Sequence, residues 1–105
     1  MIAMNKELFN NAVAADHPVL VEFWAPWCTY CKRIAPALKK VDAEYSDRLT
    51  IAQVNIDDVP ELASQEGIEL VPTMVIYKGG KALDSIVAPD SKAKIDSFIQ
   101  ATLGL

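Results

Sequence analysis

Apolar positions along the chain recur with two periods, one near 3.6 residues and one of 2, and their alternation sets the expected order of helices and strands. Leu8, Phe9, Ala12 and Val13 fall at helical spacing behind Asn5. Asparagine is a strong N-cap, so this spacing predicts a first helix over about 6–15, closed by Asp16-His17-Pro18. VLVEFWA, 19–25, is a nearly continuous, β-rich apolar run, as expected of a strand covered on both faces. Ile34, Leu38, Val41 and Tyr45 trace the buried stripe of a helix over about 28–46, and Pro36 inside it should kink it. LTIAQVNID, ending near Asp57, reads as the next strand. Strand, helix and strand in that order make a parallel crossover, expected to be right-handed.

Pro60 suits the first turn of a short helix over about 59–66, with Asp57 or Asp58 as its cap and Gly67 as its left-handed exit. TMVIYK and ALDSIVA flank Gly79-Gly80, which predicts a hairpin. Asp90 or Ser91 caps a last helix in which Ile95, Phe98, Ile99 and Leu103 recur at core spacing. Met74, Tyr77, Phe98 and Trp24 are ordinary core candidates. The elements assemble into an α/β fold: a central mixed sheet with helices on both faces.

The 105 residues, 51% of them hydrophobic, suit a single domain over 1–105 whose core needs no metal or disulfide staple. A net charge of −4 and the lack of a long basic run argue against a nucleic-acid partner. Lys32/Arg33, Lys39/Lys40 and Lys92/Lys94 read as solvated helix faces. Nowhere are there about 20 consecutive apolar residues, and the start lacks the pattern of a signal peptide. No membrane partner and a cytoplasmic location are therefore expected; the chain is also expected to be a monomer. In the cytoplasm thiols are usually reduced, so a close cysteine pair is more readily catalytic or metal-binding than structural.

Cys28 and Cys31, the only cysteines, stand two residues apart in VEFWAPWCTYCKRIAP. A disulfide between such neighbours closes a short loop and constrains the unfolded chain little, so stabilisation is a poor reason for the pair. A metal site, an inert pair and a redox pair remain. Zinc needs further ligands, and His17, the one histidine, reads as a turn residue. Cys28 falls at the start of the second helix, where free N–H groups and the positive end of the dipole favour a thiolate. This makes Cys28 the candidate nucleophile. Cys31, a turn deeper on the same face, is placed to resolve a mixed disulfide formed at Cys28.

FWAPWCTYCK, Pro36 within the next helix, VNID, Gly67-Ile68, Val71-Pro72-Thr73 and the Gly79-Gly80 hairpin together resemble the thioredoxin family, without apparent gaps from about Asn5 to Leu103. The resemblance implies the thioredoxin fold and protein dithiol–disulfide exchange, with Cys28 as attacking and Cys31 as resolving cysteine. It implies that Trp27 flanks the site and that Pro72 faces the disulfide after a cis bond. Without it, Pro72 reads as a trans proline opening a strand. The backbone of Val71 would then pair with an extended stretch of substrate, with Trp27, Thr29, Tyr30 and Ala88 beside it. The substrates implied are disulfide-containing proteins, and the electron donor an upstream protein of the thioredoxin-reductase type. No cofactor is implied beyond the Cys28–Cys31 disulfide. The alternatives are a glutaredoxin-like or isomerase-like exchanger and a non-catalytic binding module of the same fold.

Some positions depart from the family pattern. Glu22 stands where the resemblance places a buried aspartate that handles the resolving cysteine's proton. Strand alternation puts it on the face of Leu20 and Trp24, where burial should raise its pKa. Gln53 replaces a lysine common near that acid. Thr29-Tyr30 replaces Gly-Pro, so Tyr30 brings a backbone N–H expected to reach the Cys28 sulfur and raise the reduction potential. Leu70 and Ala88 replace glycines, which should narrow the groove. MIAM leaves room for only a short or frayed first strand.

Overall fold

In a computed structural model that describes residues 1–105, β1 (Ile2–Ala3), α1 (Lys6–Ala14), β2 (Val19–Trp24), α2 (Thr29–Tyr45) and β3 (Thr50–Asn55) form the first half. The second half comprises α3 (Pro60–Gln65), β4 (Thr73–Lys78), β5 (Lys81–Val87) and α4 (Lys92–Leu103). The strands form one sheet in the order β1-β3-β2-β4-β5. β2 runs parallel to β3 and antiparallel to β4, so the sheet is mixed and β2 is central. Its central place explains the unbroken apolar run, because alternate side chains enter two separate cores. Val19, Val21 and Phe23 pack with Phe9 of α1 and Leu62 of α3. Leu20 packs on the opposite side with Ile34, Leu38 and Val41 of α2 and Ile95 and Ile99 of α4.

Local chemistry accounts for most element ends. The Asn5 side chain accepts the Leu8 N–H at 2.8 Å, and Ser91 accepts the Lys94 N–H at 3.2 Å. α2 continues as one helix through Pro36. Gly79 and Gly80, at φ of 60° and 83°, make the two-residue link in which Lys78 pairs with Lys81. Both angles are positive, as the mirror-image hairpin turn requires and as residues bearing a Cβ resist. The hairpin tip is also anchored: Gly79 N–H donates to Ala15 O and Gly80 N–H to Val13 O, each at 2.7 Å.

Two expectations need correction. Neither Asp57 nor Asp58 caps α3; its N-cap is Val59, with no side-chain cap. Pro60 at the first helical position lacks an N–H and keeps its predecessor Val59 out of the helical region, so the start is set by proline geometry. Leu8 is exposed rather than core, and from α1 only Phe9 is fully buried. The first strand is short but paired: Ile2 and Ala3 align with Ala52 and Gln53, and Met4 N–H donates to Gln53 O at 2.9 Å.

Phe9 meets Phe23 and Tyr77 edge-on, with centroids 6.2 and 5.4 Å away. Truncation there removes a fully enclosed ring, so Phe9→Ala should cost about 3–5 kcal/mol in urea denaturation. Leu8→Ala should stay within about 0.5 kcal/mol. Similar losses for the two variants would contradict this assignment of the core.

Candidate active site

The site begins where β2 stops. After Trp24 the chain turns, with Cys28 N–H donating to Ala25 O at 3.1 Å, and Cys28 keeps an extended backbone as the N-cap of α2. In that position its sulfur accepts the Cys31 N–H at 3.1 Å, taking the place of a capping oxygen. Cys28 and Cys31 are joined as a disulfide, with Cα atoms 5.3 Å apart. Both are buried, in a small cluster with Ala25 that Trp24, Tyr30, Ile56 and Val71 partly cover. The donor expected from Tyr30 is not the one used. A capping side chain reaches the N–H two or three positions on, and here the third, Cys31, supplies it.

Two aromatic residues stand next to Cys28 in the chain or on its cluster, and each is tied down. Trp27, 64% exposed, donates its indole N–H to Asp57 Oδ1 at 3.2 Å. Tyr30 donates its hydroxyl to Pro89 O at 3.1 Å. Opposite them, the Val71 carbonyl oxygen lies 3.7 Å from Cys28 Sγ, and the Val71–Pro72 bond is cis. Pro72 O in turn accepts the Ala88 N–H at 2.8 Å. These contacts bring Cys28, Cys31, Trp27, Tyr30, Val71, Pro72 and Ala88 together from three parts of the chain. Thr29 stands exposed in the first turn of α2, and Leu70 projects beside Val71 with 62% exposure. Asp57 and Pro89 were not expected here. Their partners lie 30 and 59 residues away, so no local pattern marks them.

Glu22 lies behind this face, 2% exposed, between Gln53 on β3 and Met74 on β4. Its Oε1 accepts from Gln53 Nε2 at 2.9 Å, while the buried Oε2 has no partner. Burial pushes the Glu22 carboxyl above its ordinary value, and the Gln53 hydrogen bond holds back part of that rise. A cleft of about 220 Å³ is lined by Glu22, Cys31, Lys32, Lys39 and Gln53, so the acid and the deeper sulfur border one space. No group of three or more His, Cys, Asp or Glu side chains is arranged to hold a metal ion, and no helix is long and apolar enough to cross a membrane.

With this geometry in hand, comparison with known proteins is specific. A family model described as Thioredoxin matches residues 1–101. An M-type chloroplastic thioredoxin of Chlamydomonas reinhardtii is 40% identical over 102 residues, covering 96% of this chain and 73% of that protein. A thioredoxin of Alicyclobacillus acidocaldarius is 37% identical over 95 residues, 90% of each. Among solved structures, a thioredoxin of Malassezia sympodialis superposes with a TM-score of 0.87 at 28% identity, covering 97% of this chain and 90% of that one.

The raised Glu22 value has a thermodynamic consequence. Below the ordinary glutamate range, folded and unfolded chains both hold the proton. Above it the unfolded chain has lost the proton while the folded chain still holds it, so stability falls as pH rises through the folded-state value. Glu22→Gln keeps an oxygen for Gln53 and removes the ionisation. The variant should therefore gain stability relative to the parent between about pH 4 and about pH 8, measured by urea denaturation at both. A difference that does not change with pH would contradict the burial of this acid.

Proposed function

The chain belongs to the thioredoxin family, and from that premise we propose how its residues share the work of a dithiol–disulfide oxidoreductase. The Cys28–Cys31 pair is the redox centre, and the electrons are stored in the chain's own sulfur atoms. The family match favours neither a glutaredoxin-like or isomerase-like exchanger nor an idle binding module.

In our reading residues 1–105 act as one domain, and reduced Cys28 attacks one sulfur of a target protein's disulfide. A Cys28–target bond forms as the target's own S–S bond breaks, and the departing target sulfur takes up a proton. Cys31 gives its proton to the ionised form of Glu22 and attacks Cys28; the Cys28–Cys31 bond closes as the Cys28–target bond breaks, and the second target sulfur leaves as a thiolate that takes up a proton from water. Two electrons pass to the target. The observation that carries these roles is the Cys31 N–H donated to Cys28 Sγ at the start of α2, which stabilises negative charge on sulfur 28. The Val71 backbone, 3.7 Å from that sulfur, supports docking of an extended target segment, with Trp27, Thr29, Tyr30, Pro72 and Ala88 forming the surface around it.

An upstream dithiol reductase would return the disulfide to its reduced form, and a monomer suffices for both half-reactions. A reducing aqueous compartment suits this cycle, and we assign the protein to the cytoplasm; the Chlamydomonas relative, named as chloroplastic, marks the competing compartment. Cys31→Ser separates attack from resolution. The reduced variant should accumulate mixed disulfides through Cys28 with disulfide-bearing proteins, visible as dithiothreitol-sensitive adducts on non-reducing gels, whereas Cys28→Ser should trap none. Adducts through both positions equally, or through neither, would contradict these roles.

A further inference from the structure

The Tyr30 hydroxyl does something that the exchange chemistry does not require. It spans from the second residue of α2 to the carbonyl of Pro89, 59 residues on, at 3.1 Å. The neighbouring Ala88 donates its N–H to Pro72 O at 2.8 Å. The 88–89 segment is therefore held from two sides, once by the start of α2 and once by the entry to β4. Between these ties Ala88 has φ of 46°, the one residue other than glycine with a positive φ in the chain. That conformation disfavours any residue with a Cβ and persists where the surroundings over-determine it. The two ties supply such surroundings.

The residue before Cys28 is fixed as well, since Trp27 is held by Asp57 at 3.2 Å. Cys28 is 7% exposed, packed by Tyr30 and Val71, and so is not on an open surface. Resting on the functional reading above, we infer that Tyr30 is a specificity-determining residue: its hydroxyl clasps the 88–89 segment so that Ala88 forms a rigid wall beside Cys28. The slot then favours target segments with a small side chain next to the attacked cysteine. Without the hydroxyl, the phenyl ring still packs on the cysteines, but Pro89 loses its tie, and Ala88 can relax toward negative φ and yield to a bulkier residue.

The test uses two disulfide-bonded peptides that differ only in having glycine or leucine beside the attacked cysteine, with the reduced full-length protein and steady-state kinetics. The parent should favour the glycine peptide in kcat/KM. Tyr30→Phe should shrink that preference about fivefold, the effect of one neutral hydrogen bond, through a lower KM for the leucine peptide. Ala88→Gly, which keeps the clasp but removes the methyl, should shrink it as well, and thermal unfolding confirms that both variants fold. A preference unchanged in Tyr30→Phe, or equal rate changes toward both peptides, overturns the inference. If the parent reduces both peptides without preference, the inference falls while the reductase reading stands. If it reduces neither, both fall.

Discussion

One hydrogen bond organises the reactive end of the molecule: the Cys31 N–H donated to Cys28 Sγ at 3.1 Å. Helix starts leave N–H groups without partners, and an oxygen usually satisfies them. Here sulfur takes that place, so one residue serves as cap and as redox atom. The arrangement requires an extended Cys28 immediately before a helix, and that requires a strand ending three or four residues earlier. β2 supplies it. Buried on both faces and flanked by β3 and β4, it fixes where α2 begins. The position of the sulfur is thus inherited from the core.

The same strand carries Glu22, and the two features are linked by geometry. Alternation along β2 sends Glu22 toward the face covered by α2, and the deeper cysteine is on α2, so the acid and Cys31 border a single cleft. A carboxyl in that position loses water on nearly all sides and keeps one amide partner, Gln53. Desolvation outweighs that hydrogen bond, which is why its proton affinity rises. The Gln53 amide favours the ionised form only in part, and the loss of water outweighs it. Proton affinity here follows from which residue β3 places opposite position 22, a matter of sheet register.

Features governed by nearest neighbours were legible in the sequence. Asn5 and Ser91 cap as their side chains dictate, β4 runs over the six residues of TMVIYK, and the two glycines make the hairpin. Cys28 at the start of α2 and the burial of Glu22 also followed from local pattern. Contacts made across the fold were not legible. Asp57 looks like a helix cap because it stands near Pro60, yet it accepts from Trp27; nothing in its own neighbourhood distinguishes the two uses. Leu8 fits the helical stripe, but α1 turns Phe9 inward and leaves Leu8 in water. Tyr30 drew notice for its backbone N–H, whereas its hydroxyl makes the distant contact. Propensity acts over a turn, and tertiary partners are chosen by register and packing.

The central claim is that sulfur 28 in the reduced protein is held as an anion by the start of α2. The direct measurement is the pH dependence of iodoacetamide alkylation in Cys31→Ser, where Cys28 is the only thiol. The account predicts a rate that inflects well below about pH 8.5, the ordinary value of a free cysteine. An inflection at or above that value, as in an unfolded peptide carrying the same residues, would contradict it.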